Sequence, residues 1–542
     1  MTLDTFFKKF DQFADAPNAV AKMRELVLQL AVQGKIVSQN PKDEKASILL
    51  ARIGKTKELL ISDRTIRRQE TAPIDDSEAP FSIPPSWVWT RLGEIADWGS
   101  GSTPSRGNSD LYDGGIAWLK SGELNDNQAL AGSEETVTEK ALTTGSFRRN
   151  KPGDVLLAMY GATIGKVAIL AEPAVTNQAV CGCTPFDGVF NRYLFSYLLS
   201  QRVRFHSASE GGAQPNISKV KIVAFPFPLP PLAEQKRIVA KVDELMALCD
   251  LLEVQQQERD KQASALARAS LARFAEAPTP ANLNLLFHKS YSISPAELRK
   301  VILTMAVQGK LLPQDPKDEP VQRTFLGLKP FNSGISGTIE APSQWEVCDY
   351  RSLTSLVTSG SRRWKEYYAD AGAIFIRTQN IKTDSLVLDD VAFVQLPKTA
   401  EGMRSQVLKN DIMITITGAN VTKAARVIEV IPEAYISQHI ALTRPRWSEM
   451  SQWLHLCFVS HGSARGMLEQ LAYGDKPGLN LNNIRDLILP IPPLAEQYRI
   501  VAKVDQLMTL VDQLETKLAA SRATAKSLLE ALVAELTNEN RP

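Results

Sequence analysis

From Ile238 onward, apolar residues recur at spacings of four, three, four and three: Ile238, Val242, Leu245, Cys249 and Leu252. Polar and charged residues fill the positions between them. This is the a/d seam of a heptad helix. The seam returns at Ile500, Val504, Leu507, Val511, Leu514 and Leu518, and resumes at Ala525, Leu528, Leu532 and Leu536. Pro228, Pro230 and Pro231 end a strand and cannot lie inside a helix, so the first helix starts after them. Each helix has room for about 40 residues, roughly 60 Å of rise. A lone apolar seam needs a partner, and the expectation is that the two like seams pair with each other.

The helices are copies. Residues 228–253 and 490–515 are identical at 20 of 26 positions, and both contain Pro-Pro-Leu-Ala-Glu-Gln. A second duplication lies upstream. Residues 24–44 and 299–319 share an apolar-periodic helix, an Ala-Val-Gln-Gly-Lys end and a Pro-Lys-Asp-Glu turn. Gly34 and Gly309 are placed to end those helices. The offsets differ, 262 against 275 residues, so the two halves are not the same length internally.

Between these anchors the pattern changes to short β-like runs punctuated by Gly, Asn and Pro. Val155–Met159 and Lys166–Leu170 lie in one block, Ile412–Ile416 in the other. Each block then carries an aromatic-rich helical stretch, 192–206 and 452–468. The predicted organisation is a helical extension (1–83), a first mixed block (84–227), a spacer helix (228–276), a helical repeat with linker (277–340), a second mixed block (341–489) and a distal spacer helix (490–542). The fold class is α+β: two mixed α/β domains joined and spaced by two long antiparallel coiled-coil helices, with a pseudo-two-fold internal repeat.

Composition narrows the function. The chain has 542 residues, 44% hydrophobic and 23% charged, with a net charge of +2. That excludes coating DNA by bulk charge. No apolar run is long enough to span a membrane and no signal-peptide core opens the chain, so a cytoplasmic protein is expected. Five scattered cysteines and five histidines show no metal-ligand spacing, and no metal is expected. Gly161–Lys166 imitates a phosphate-binding loop, but its second glycine comes one position early and Val167 stands where Ser or Thr is required. No methyltransferase motif and no nucleophile elbow appear. The chain reads as a non-catalytic binding protein.

Two unlike modules on paired rods form a calliper. A reader of two DNA half-sites needs such a device, because protein geometry sets the half-site spacing. The residues that carry a family resemblance are Gly101-Ser102-Thr103-Pro104-Ser105, Trp118-Leu119-Lys120-Ser121-Gly122-Glu123, Lys151-Pro152-Gly153-Asp154, Tyr160–Lys166, Thr176-Asn177-Gln178, Gly212–Ser218 and the doubled Pro-Pro-Leu-Ala-Glu-Gln. Weaker echoes follow at 374–380, 410–412, 418–420, 437–438 and 477–480. On these the chain resembles the specificity subunits of type I restriction–modification enzymes over nearly its whole length. The resemblance implies two target-recognition domains reading a bipartite, asymmetric double-stranded DNA site. It implies two methyltransferase subunits carrying S-adenosylmethionine, nuclease-translocase subunits using ATP and Mg, and no cofactor on this chain.

Base readout favours Arg or Lys on guanine and Asn or Gln on adenine, presented from loops. The candidates in the first block are Ser105, Arg106, Lys120, Ser121, Glu123, Tyr160, Thr163, Lys166, Gln214, Asn216, Ser218 and Lys219. In the second they are Arg362, Arg363, Arg377, Thr378, Gln379, Asn380, Thr417, Asn420, Lys423, Lys476, Asn480 and Asn483. Residues 84–227 hold 13 basic and 13 acidic side chains, so partner subunits are expected to supply much of the phosphate binding. The rival reading is a two-module scaffold that binds proteins and has no DNA specificity.

Overall fold

The computed structural model describes residues 14, 16–69, 71–212, 215–277, 279–286, 288, 291, 293–330, 341–361, 364–382, 384–397, 404–472 and 478–538. They form two compact units: residues 1–258 with 521–542, and residues 259–520.

The first unit opens with α1 (Ala19–Val32) and α2 (Ala46–Ser62). Helix α1 ends as its sequence requires. Gly34 takes a φ of 70°, and the Lys35 N–H returns to the Leu30 carbonyl at 2.9 Å. That is a Schellman closure, which needs a residue free to be left-handed. Strands follow: β1 (Val88–Arg91), β2 (Ala96–Ser100), β3 (Tyr112–Leu119), β4 (Asn127–Leu130), β5 (Glu135–Val137), β6 (Val155–Ala158), β7 (Val167–Leu170), β8 (Val175–Thr176), β9 (Val180–Pro185) and β10 (Pro226–Leu229). They assemble as a five-stranded sheet, β2-β9-β6-β7-β4, and a three-stranded sheet, β5-β3-β8. Strands β6, β7 and most of β9 are buried, so their continuous apolar runs face core on both sides. The pair β1–β10 is antiparallel and brings the start of the block back beside its end.

Helix α3 (Asn191–Ser200) buries Tyr193 and Tyr197, whose hydroxyls donate to the carbonyls of Pro228 and Pro226 on β10. Helix α4 (Leu232–Glu276) then leaves the sheet. At its third position Glu234 is only 1% exposed, where Gln39 Nε2 donates to it at 2.6 Å and the Trp87 indole lies beside it. One turn on, Arg237 reaches Asp43 at 2.6 Å.

The second unit repeats this frame. Helix α5 (Pro295–Val307) has Ser294 as N-cap, accepting from the Glu297 N–H, and proline in its first turn. It closes on Gly309 as α1 closes on Gly34, with Lys310 N bonded to the Met305 carbonyl. The strands are β11 (Glu346–Asp349), β12 (Thr354–Ser359), β13 (Tyr368–Ala369), β14 (Ala373–Ile376), β15 (Ile381–Lys382), β16 (Ser385–Leu386), β17 (Ala392–Val394), β18 (Ile412–Thr415), β19 (Ala424–Arg426), β20 (Ala434–Ile436), β21 (Ile440–Pro445) and β22 (Ile488–Ile491). Two four-stranded sheets result, β12-β21-β18-β19 and β13-β17-β14-β20. Helix α6 (Ser451–Val459) bonds Trp453 Nε1 to the Pro490 carbonyl, as Tyr193 bonds Pro228. Helix α7 (Leu494–Asn538) starts with Glu496 fully buried beside Trp345 and Gln314, and Arg499 meets Asp318 at 2.9 Å.

The helix seams go to different places from those expected. Ile238, Val242 and Leu245 join the core of their own unit, in one cluster with Trp87, Tyr193, Phe227 and Val27. Only Cys249, with Leu252 beside it, shares a cluster with Leu529, Leu532 and Leu536 of α7, and α1 contributes Met23, Leu26 and Leu30 to it. In the second unit, Ile500, Val504 and Val511 sit in the cluster that holds Trp345, Trp453, Ile302 and the α4 residues Ala267, Leu271 and Phe274. Leu507 and Leu514 pack partly against that cluster, and Leu518 is half-buried. The reason is reach. The first turns of each helix meet buried aromatic side chains of their own unit, Trp87 and Tyr193 in one and Trp345 and Trp453 in the other. The helices α1 and α5 then fill the seam from a third side. Each is clamped by an arginine fork: Arg24 to Asp250 and Glu253 at 2.7 and 2.6 Å, and Arg299 to Asp512 and Glu515, both at 2.6 Å.

Two predictions follow from this frame. Gly34→Ala and Gly309→Ala force a side chain into Pro84 and Pro342 at a left-handed φ, and each costs roughly 1–3 kcal/mol in urea unfolding. Gly54→Ala, in open space inside α2, instead gains about 1 kcal/mol. Burial pushes the Glu234 and Glu496 carboxyls up from their ordinary range. The folded state therefore holds these protons more tightly than the unfolded chain. Stability contributed this way is full below the unfolded carboxylate range and declines as pH rises through the folded values. Glu234→Gln and Glu496→Gln should match wild type near pH 4 and exceed it at pH 7 in thermal melts; equal differences at both pH values would contradict this.

Candidate nucleic-acid interface

In the first unit, the end of β3 runs into a one-turn helix at Ser121–Glu123. The Glu123 carboxylate accepts the N–H groups of Lys120 and Glu134 at 2.7 and 2.8 Å. Its oxygens are occupied in shaping the turn, so Glu123 is a turn former and not the free contact expected. Lys120 reaches outward to Glu134 and Glu135, both at 3.0 Å. Arg106 joins the same carboxylate, with Nη1 at 2.6 Å from Glu135, and lies over the rings of Tyr112 and Trp118 at 5.0 and 5.1 Å. The rings are themselves anchored: Tyr112 donates to the Pro104 carbonyl and Trp118 Nε1 to the Ser102 carbonyl. The loop carrying Ser105 and Arg106 is thus pinned at two carbonyls. Arg106 and Lys120 hold the Glu135 carboxyl down to about 2, so it stays ionised.

A second group lies around Tyr160. Its backbone bridges to Asn216, Thr163 Oγ1 donates to its carbonyl at 2.7 Å, and Gly161 N bonds to Pro215. Lys166 reaches Asn125 at 2.9 Å, beside the Ser121–Glu123 turn. Asn216 is exposed, Ser121 and Lys219 are half-buried, and Ser218 caps the short helix 219–223 by accepting from Lys221 N. Gln214 lies outside the described residues.

The second unit builds a parallel turn with different chemistry. Arg377 precedes the one-turn helix Thr378–Asn380. Asn380 is 3% exposed, accepts from Arg377 N, and donates to the carbonyls of Val387 and Asp390. It is a structural residue, contrary to the expectation. Gln379 Nε2 bonds Asp390 at 3.2 Å, and Arg377 lies 3.8 Å from it. Asn420 donates to the Thr378 carbonyl at 3.4 Å, which joins the Gly418–Lys423 loop to this turn. Thr417 shares a 2.5 Å hydrogen bond with His439 Nδ1, and its backbone bridges to Gly478. Lys423 is half-buried, with its carbonyl bonded to Thr415 N. Asn480 and Asn483 form a reciprocal cap on helix 481–485, so their side chains are also committed to structure. Arg362, Arg363 and Lys476 lie outside the described residues.

The sequence reading missed the acidic partners Glu134, Glu135 and Asp390 and the exposed pair Gln438 and His439. The Ser-Gln-His run after a β-like stretch was the available signal for the pair. Among the described residues, no group of three or more His, Cys, Asp or Glu is placed to hold a metal ion, and no helix is long and apolar enough to cross a membrane.

The geometry defines a class: a protein with two β-rich modules, each presenting a basic turn from a rigid sheet and each seated on the head of a long helix. Comparison with known proteins shows what the chain is similar to. Residues 84–259 match the family described as Type I restriction modification DNA specificity domain. Over 95% of its length the chain is 25% identical to the type I restriction enzyme EcoAI specificity subunit of Escherichia coli, covering 93% of it. It is 24% identical to the EcoEI specificity subunit of the same organism over the same shares. A shorter match, 31% over 33% of this chain and 41% of the relative, is to the MjaIX specificity subunit of Methanocaldococcus jannaschii. Overlap with a chain from a structure titled as complex assembly and conformational transition of the type I R-M system has a TM-score of 0.49 at 18% identity. It covers 84% of this chain and 99% of that one, too loosely to add to the sequence relationship. The chain is thus similar to type I restriction specificity subunits along nearly its whole length.

Asn380→Ala should cost about 1–3 kcal/mol because three buried hydrogen bonds lose their partner. Lys166→Ala, whose one bond is at the surface, should stay within about 0.5 kcal/mol of wild type in the same urea titration.

Proposed function

We propose that this chain is the non-catalytic, DNA-reading subunit of a type I restriction–modification complex in the cytoplasm. Each block reads one half of a bipartite, asymmetric site in duplex DNA. The observation that carries this reading is one turn built twice with unlike side chains: Lys120 with Glu134 and Glu135 in one unit, Arg377 with Gln379 and Asp390 in the other. A common frame with changed reading groups suits two half-sites of different sequence. Homology to named specificity subunits disfavours the protein-binding scaffold.

The reading groups are neutralised by their own carboxylates, so little net charge remains to attract DNA from a distance. Two methyltransferase subunits, which carry S-adenosylmethionine, supply the balance, and nuclease-translocase subunits bring ATP and Mg. The long helices serve as spacer and docking faces. Helix α4 shares a cluster with the end of α7 in the first unit and with its start in the second, which supports an antiparallel pair.

The test is a module exchange. Replacing residues 84–227 with the matching block of a relative, in complex with the methyltransferase subunits, should change the methylated sequence in one half only. If both halves change or neither does, the assignment of one block to one half is wrong. Arg377→Ala should cost about 1–3 kcal/mol of binding and relax one position of the other half.

A further inference from the structure

The two units differ where the module meets the head of its long helix. In the first, Arg192 of α3 spans that junction, bonding Gln128 on one side and Asp243 of α4 at 2.9 Å on the other. Ile169 of β7 and Phe195 of α3 are buried in the same unit. The chain's own contacts fix the matching positions in the second. Tyr193 and Trp453 bond Pro228 and Pro490, and the Val167 and Ala424 N–H groups bond Asp126 and Asp384. On that register Gln452 replaces Arg192, Arg426 replaces Ile169, His455 replaces Phe195, and Asp505 stands for Asp243.

The replacement leaves a space. A cavity of ≈ 610 Å³ is lined by Gln452, His455, Arg426, Asp505, Glu429 and Asp384, with Leu386, Ile431, Val501 and Val504 as apolar walls. Its charges are not balanced as they are in the first unit. Asp384 is neutralised by Arg465. Arg426 bonds Asn410 at 3.3 Å and stays outside ion-pairing distance of Asp505. Burial disfavours the charge on Arg426, on Asp505 and on the enclosed His455 imidazole, which lies 3.4 Å from the Ala424 carbonyl. Asp505 is therefore the carboxylate acting on the desolvated Arg426 guanidinium, with Glu429 exposed along the lining. Ile428, in the lining, is 65% exposed, and Val430 two residues on is 81% exposed.

We propose that this cavity is a receptor for an arginine side chain of a partner protein. The guanidinium seats on Asp505 as Arg192 seats on Asp243, and aliphatic neighbours of that arginine cover Ile428 and Val430. The template within the chain points to the ligand chemistry: Asp243, at the matching turn of the copied helix, takes the Arg192 guanidinium. The occupant enters from outside because Gln452 supplies none. In the first unit Arg192 already occupies the matching aspartate, so a partner seated on Asp505 does not bind there.

The probe is N-acetyl-arginine amide, titrated calorimetrically into the full chain. Asp505→Asn should weaken binding roughly tenfold, the scale of a lost charge-assisted hydrogen bond. Gln452→Arg should abolish binding while raising the melting temperature, because the chain then fills its own site. Asp243→Asn, whose aspartate is already occupied, should leave the titration unchanged. Equal binding to wild type and Asp505→Asn would overturn the proposal. So would Arg426→Ala destabilising the chain as much as Asp505→Asn, since Arg426 would then be the native partner of Asp505.

Discussion

The structure turns on a buried carboxylate at the head of each long helix. Glu234 and Glu496 are the third residues after a proline pair, and both lie almost wholly out of water. Burying a carboxylate is unfavourable unless polar partners surround it. Polar groups from two distant stretches of chain lie beside both glutamates: Gln39, which donates to Glu234 at 2.6 Å, with Trp87, and Gln314 with Trp345 next to Glu496. The extension helix, the first strand of the module and the spacer helix therefore meet at one point in each unit. The glycine that ends α1 or α5 packs against the proline and tryptophan at that same point. The outward turns of each module rest on sheets tied to this junction.

Such a node explains what diverges and what does not. Residues that close it recur in both halves: Gly34 and Gly309, Trp87 and Trp345, the Arg237–Asp43 and Arg499–Asp318 pairs, and the Arg24 and Arg299 forks. The turn that faces outward keeps its backbone, because Glu123 in one unit and Asn380 in the other fold the chain by the same hydrogen bond to the preceding N–H. Around that bond the side chains are free to change. A reader can thus be altered without disturbing the junction that orients it.

Much of this was legible in the sequence, for a physical reason. Heptad spacing, proline pairs and glycine helix ends act locally, and they marked α4, α7, α1 and α5. The destination of the seams was not legible. A heptad pattern shows which face is apolar, but not that Tyr193, Trp87 and α1 reach Ile238 and Val242 before a second helix can. Arg106, Lys120, Arg377, Thr417 and Asn420 fall on exposed or half-exposed turns, whereas Glu123, Asn380, Asn480 and Asn483 spend their hydrogen bonds on the backbone. Asparagine and glutamate are read equally well as base contacts or as caps from sequence. Only the backbone around them separates the two roles. The carboxylates on Arg106, Lys120 and Arg377 escaped notice because they lie 10 or more residues away along the chain.

The central claim is that two modules on one chain read two unlike half-sites held apart by helices. Single-molecule sequencing of methylated genomic DNA, from cells expressing this chain with its methyltransferase subunit, tests it most directly. The account predicts one methylated motif made of two different short sequences separated by a fixed run of unspecified bases. A single uninterrupted motif, or two identical halves, would contradict it.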